Sequence, residues 1–231
     1  MNPGPGIRAT RPNRIGMPKK KTILENGFDA ISAATICAWI GFVFWSLRSS
    51  LDDQARMSVE NGLIETMQTV LLAVSCIVYL AAAALKEKPG KLIFLFCSLL
   101  CYSFVLRELD VEKFDIPYPL IFIGSGAGRN VTIAVAFIAI LACAALGNFR
   151  VYEKAAKEFI KSRPGILLIA GGVFLFIGEF FEKYEAIVNH VYWEEISEFF
   201  AYVLILVSSL AALSSVISAP VPPIGLDRAS R

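Results

Sequence analysis

Carboxylates standing at the ends of apolar segments are the residues of this sequence best placed to do chemistry. Glu65, Glu108, Glu179, Glu182 and Glu198 each lie inside or just beyond a long apolar run, and Arg107 stands beside Glu108. Glu179, Glu182 and Lys183 follow one another at i, i+3 and i+4, so one helix face carries all three. Glu65 continues at the same spacings to Gln68 and Thr69, and Glu194 continues to Glu198 and Tyr202. Charge at membrane depth is costly, and such groups face a bundle interior or a watery cavity, paired with one another. The planar fork of an arginine can hold two carboxylates at once. The expectation is an outward-facing pocket of Glu65, Arg107, Glu108, Glu179, Glu182 and Glu198 that binds or relays a small cation or a proton. Five carboxylates and one guanidinium cannot all stay charged in a low dielectric, so protons or a cation must complete the balance.

A plainer reading stands beside this one. Helix ends carry charges that reach out to lipid headgroups, and ion pairs between helices can act as clamps alone. Asp52, Asp53, Glu112, Asp115 and Glu185 lie beyond the apolar lengths and are expected to be ordinary solvated charges.

A second feature is Gly124-Ser125-Gly126-Ala127-Gly128-Arg129-Asn130, directly before an apolar run. Successive glycines can aim backbone N–H groups at an anion, and a helix start adds positive dipole. Ser125, Gly126 and Arg129 are the candidate anion-binding residues. A glycine turn with Ser125 or Asn130 as a helix cap explains the same residues, and the dinucleotide and P-loop spacings are absent.

The lone histidine, His190, stands among acids and could ligate a metal or act as a general base. If a metal binds, Glu179, Glu182 and His190 are its candidate ligands, and carboxylates suit Ca²⁺, Mg²⁺ or Mn²⁺ better than zinc. One histidine cannot supply the two-histidine ligation of a haem between helices. A Ser125–His190 nucleophile pair has nothing in the sequence to orient it.

The elements that must position these groups follow from composition. The chain has 231 residues, of which 56% are hydrophobic and 18% charged, and its mean hydropathy is +0.61. Soluble domains run nearer half apolar and about a quarter charged. The apolar residues fall in blocks long enough to cross about 30 Å of hydrocarbon at about 1.5 Å per residue. The fold class expected is all-α: a polytopic membrane protein with a bundle of six transmembrane helices joined by short loops. The spans are predicted at 30–47, 63–85, 92–111, 129–147, 166–185 and 198–218. Residues 1–22 form a basic tail without means of folding, residues 23–219 the membrane domain, and residues 220–231 a second tail. Met17, before Pro18-Lys19-Lys20-Lys21, is a second candidate start.

Most of the 22 lysines and arginines fall in the tails and in alternate connections, from Lys86 to Lys91 and from Arg150 to Arg163. Positive residues stay inside, so both termini are expected in the cytoplasm, and the basic-inside chain reads as one of a bacterial inner membrane. Most of the 20 acids then face outward. All five cysteines lie within predicted spans, which suits small apolar packing residues better than disulfides. No basic block suggests nucleic acid, and the partners expected are membrane lipids, with a small cation or a lipid-linked ligand. Three function classes remain on these residues alone. The first is binding or permeation of a small cation or proton. The second is an enzyme acting on lipid-linked or envelope substrates at the outer leaflet, with a divalent metal. The third is a non-catalytic subunit or assembly factor.

Overall fold

The computed structural model describes residues 63–218 apart from 110, 114, 116 and 185, together with Ala34, Cys37, Gly41, Trp45 and Arg48. Among the described residues there is no strand. The helices are α1 (Leu63–Leu85), α2 (Gly90–Glu108), α3 (Tyr118–Gly124), α4 (Gly126–Leu146), α5 (Phe149–Lys161), α6 (Arg163–Lys183) and α7 (His190–Ile217), with a 3-10 turn at Val111–Lys113. Five of them, α1, α2, α4, α6 and α7, are long and apolar enough to cross a membrane. The span predicted at 30–47 lies outside the described residues except for Ala34, Cys37, Gly41 and Trp45, which are helical.

Three differences from expectation have a physical reason. The span predicted to start at 198 starts at His190, because Glu194, Glu195 and Glu198 sit on a helical face turned largely away from solvent instead of being left in a loop. The span predicted to reach residue 111 stops at Glu108, where Leu109 turns to an extended backbone. The connection after α4 is a thirteen-residue helix, α5, and not a loop. Its apolar residues Phe149, Tyr152, Ala156, Phe159 and Ile160 recur at helical spacing, while Arg150, Glu153, Lys154, Lys157, Glu158 and Lys161 take the opposite face.

The core lies where α1, α2 and α7 meet. Leu72, Tyr79, Ala82 and Ala83 of α1 pack with Phe94, Cys97 and Cys101 of α2 and with Ala201, Tyr202, Ile205 and Ala212 of α7. Helix α6 completes this group by packing extensively on α7. Small residues allow that approach: a Cβ on Gly171 would come 3.0 Å from the Ala201 carbonyl, and one on Gly178 3.1 Å from Cγ of Glu198. A hydrogen-bonded chain ties three helices together within this apolar mass. The Ser208 hydroxyl donates to the Pro164 carbonyl at 2.5 Å, so Tyr79 donates to Ser208 at 2.6 Å. Helix α4 is peripheral, with Gly128 its one buried residue, and exposes Val131, Val135, Ile138 and Leu141.

The bundle has two chemically distinct ends. One gathers the start of α1, the end of α2, the starts of α4 and α7 and the end of α6, and carries the acids. The other gathers the start of α2, the end of α4, the start of α6 and all of α5, and is rich in lysine and arginine.

Candidate functional site

At the acidic end, long side chains bridge α2 and α7, each of which packs on α1. Arg107, at the last turn of α2, donates from Nη2 to Oε1 of Glu198 at 2.5 Å, and its Nε lies 3.9 Å from Oε1 of Glu108. Glu108 accepts a hydrogen bond, 2.8 Å long, from the hydroxyl of Tyr202. Tyr202 lies one turn beyond Glu198, so the acid and the phenol reach the same arginine–glutamate pair from one helix face. The Arg107 side chain is 44% exposed, whereas that of Glu198 is 6% exposed. The charge buried here is therefore chiefly the carboxylate.

A second polar connection joins α1 to α7. Gln68 is wholly buried, and its amide Nε2 donates to both the backbone carbonyl and Oε2 of Glu195, each at 3.0 Å. The backbone acceptor fixes the amide's orientation, because a flipped amide would set two oxygens face to face. Gln68 Oε1 then remains buried without a hydrogen-bond partner among the described residues. An orphaned acceptor of this kind costs about 1–3 kcal/mol unless a donor reaches it. Glu195 in turn lies within electrostatic reach of Glu198, Glu65 and Arg107.

Above these residues opens a polar cavity of about 340 Å³, lined by Glu65, Arg107, Glu108, Leu109, Val111, Glu112, Gly124, Ser125, Gly126 and Arg129. Two groups of residues that the sequence set apart thus meet in one space: Glu65 and Glu108 with Arg107, and the glycine turn with Arg129; Glu179, Glu182 and Glu198 do not line it. The turn is built tightly. Gly126 has φ +50°, and a Cβ on Gly128 would fall 1.9 Å from the Phe122 carbonyl oxygen. Ser125 precedes α4 but does not cap it; its hydroxyl donates to the Ile121 carbonyl at 2.8 Å. Asn130 lies inside α4 and is not its cap. Arg129 donates from Nη1 to the Leu106 carbonyl at 2.9 Å, which fastens α4 to the end of α2.

The remaining predicted residues sit farther out. Glu179 pairs with Lys183 at 2.7 Å, one turn apart on α6, with side chains 46% and 68% exposed. Glu182 is exposed, within electrostatic reach of Glu194 and Glu198. His190 opens α7 and is half-buried. Among the described residues no three histidine, cysteine, aspartate or glutamate side chains stand close enough together to hold a metal ion. Glu179, Glu182 and His190 accordingly form no such group.

Gln68 and Glu195 are the polar partners that sequence reasoning underweighted. Their signals were present: Gln68 continues the face of Glu65 at i+3, and Glu195 is adjacent to Glu194. Which of the two adjacent glutamates faces α1 depends on the rotation of α7, set by its packing on α1 and α6. No known family model matches this chain, and neither the curated proteins nor the solved structures offer a significant match.

Proposed function

We propose that this chain is a multi-pass membrane protein whose acidic end holds a binding site for a proton or a small monovalent cation. The full architecture in this reading is six spans with both termini in the cytoplasm of a bacterial inner membrane, so that the cavity opens outward. The lysines and arginines of the opposite end support that orientation. One observation carries the functional reading. Glu108 and Glu198 lie against Arg107, with Glu195 within electrostatic reach of it, in a partly buried network beside a cavity that Glu112 and Arg129 also line. Carboxylates outnumber guanidiniums, and a low-dielectric site does not tolerate the excess unless a positive species joins it.

The reading is binding and not an open pore. Leu72, Ala201 and Ile205 fill the α1–α7 contact beyond the network and are buried, so among the described residues the acidic cavity does not continue openly into the core. A divalent metal fits less well, because the carboxylates are spread over arginine, tyrosine and glutamine partners instead of facing one point.

The test is linkage. A species that binds only the folded state raises its stability by mass action, about 2.7 kcal/mol at a hundredfold excess over Kd. In detergent, the thermal transition of the wild-type chain should rise as pH falls from about 8 to 5, or on exchanging a bulky organic cation for Na⁺ or K⁺ at fixed ionic strength. Glu195→Gln keeps an acceptor for Gln68 yet removes a charge, and should blunt the response. A transition that neither proton nor cation moves would leave the acids as interhelical clamps, the reading of a non-catalytic subunit. That alternative draws on the Arg107–Glu198 pair, which ties α2 to α7 by itself.

A further inference from the structure

The cavity at the acidic end is larger than a proton or a bare cation needs, and its wall carries charges of both signs. Its volume, about 340 Å³, is room for on the order of ten waters at about 30 Å³ each. That is also the lower range of sites for small organic ligands. Of the charges lining it, Arg107 and Glu108 belong to the partly buried network, the first bonded to Glu198 and the second to Tyr202. Glu112 and Arg129 do not. Neither makes an ion pair among the described residues. Arg129 gives one N–H to the Leu106 carbonyl and keeps the rest of its fork for other partners.

Packing holds both charges in place. Glu112 follows the buried Val111 on the 3-10 turn, and a Cβ on Gly124 would come 2.8 Å from Cγ1 of Val111, so that turn sits hard against the glycine segment. At the far end of the same segment, the Arg129 bond to Leu106 fastens α4 to α2. Gly124, Ser125 and Gly126 between them form cavity wall without a long side chain to fill it.

The charge pattern decides the ligand. A bare cation answers Glu112 and leaves Arg129 unmatched on the same space, and a bare anion does the reverse. A guanidinium fork matches the two oxygens of a carboxylate or phosphate, and a carboxylate takes an ammonium. We infer that this cavity binds a small zwitterion, its oxyanion on Arg129 and its ammonium on Glu112, with Glu65 on the same wall. Free zwitterions and the headgroup of phosphatidylethanolamine share this chemistry. The assignment does not rest on the proton or cation reading, which is carried by Glu108, Glu195 and Glu198 around Arg107.

The full chain in detergent is followed by thermal unfolding at fixed pH and ionic strength, with glycerophosphoethanolamine as the probe. It should raise the transition saturably, and more than ethanolamine and dimethyl phosphate supplied together, because only the linked molecule fills both positions in one binding event. Glu112→Gln should weaken its apparent affinity about tenfold, the loss of one charge-assisted contact, and leave the smaller response to dimethyl phosphate unchanged. Arg129→Gln should abolish the response to dimethyl phosphate as well. If Arg129→Gln fails to fold for want of its bond to Leu106, Glu112→Gln, exposed on its turn, carries the test by itself. Phosphatidylethanolamine added to the micelles separates the sources. A response to the lipid without one to the free compound places the ligand in the membrane, and a response to the free compound places it in solution. No response to either, a response that Glu112→Gln keeps in full, or an equal response to ethanolamine alone would overturn the assignment. The pH and Na⁺ dependence of the same samples reads the network around Arg107 separately, so either reading can fail without the other.

Discussion

Arg107 and Glu198, 91 residues apart in sequence, meet at 2.5 Å between the end of α2 and the third turn of α7. The pair is lopsided: the guanidinium keeps contact with solvent, and the carboxylate does not. Glu108 and Tyr202 stand behind it, so the arginine touches one acid directly and approaches another held by a phenol. The arrangement resembles a socket more than a surface bridge. Removing the exposed member strands a buried charge, and removing the buried member strands nothing comparable.

That asymmetry is measurable. Arg107→Met should destabilise the protein by about 3–5 kcal/mol, because it leaves Glu198 without its counter-charge. Glu198→Gln should cost less, since the amide keeps an acceptor for the arginine. Glu179→Gln breaks only an exposed pair on one helix and should cost roughly 0–1 kcal/mol. Denaturation of the three variants in one detergent gives the order directly, and a Glu179 variant as damaged as Arg107→Met would contradict the placement of these groups.

The Tyr79–Ser208–Pro164 chain makes a different forecast. Ser208→Ala strands the Tyr79 hydroxyl in the core and should cost about 1–3 kcal/mol. Tyr79→Phe leaves Ser208 still bonded to the Pro164 carbonyl and should cost less. The double variant should be no worse than Ser208→Ala alone. Additive losses in that cycle would mean that the two hydroxyls are not coupled.

Glycines of α6 differ by position. A Cβ at Gly165 collides with backbone, whereas nothing lies within 4 Å of one at Gly172. Gly165→Ala should therefore destabilise by about 1–3 kcal/mol through forced displacement. Gly172→Ala should stabilise by up to about 1 kcal/mol through helix propensity. Thermal unfolding of the two single variants tests both signs, and a harmless Gly165→Ala would show that α5 does not fold back onto α6 as described.

Orientation is tested by accessibility. In a background without native cysteine, Asp115→Cys and Val188→Cys, both exposed at the acidic end, should react with an impermeant thiol reagent outside intact cells. Lys88→Cys and Lys157→Cys at the basic end should not. The reverse pattern would invert the bundle, and labelling of all four would argue against a spanning arrangement.

The five described spans were legible without coordinates, because length and apolar composition are local properties that the bilayer thickness converts directly into helices. The division into an acidic and a basic end was legible for the same reason: charge position along the chain is one-dimensional information. That Glu65, Arg107 and Glu108 lie at similar depth followed from counting residues along each span. Depth, however, does not give azimuth. Glu179 and Glu198 stand at similar depth on neighbouring helices, yet the first faces outward beside Lys183 and the second is buried against Arg107. The rotation of α6 is set by Gly171 and Gly178 pressing on α7, and that of α7 by Tyr202, Ile205 and Ser208 turned into the core. Those contacts come from residues distant in sequence, so only the tertiary structure decided which glutamate meets the arginine, which of Glu194 and Glu195 reaches Gln68, and that the Gly126 turn closes the same cavity. The amphipathic period of α5 was written in residues 149–161. Its seat against α2, α4 and α6 was not, because those contacts belong to three other helices.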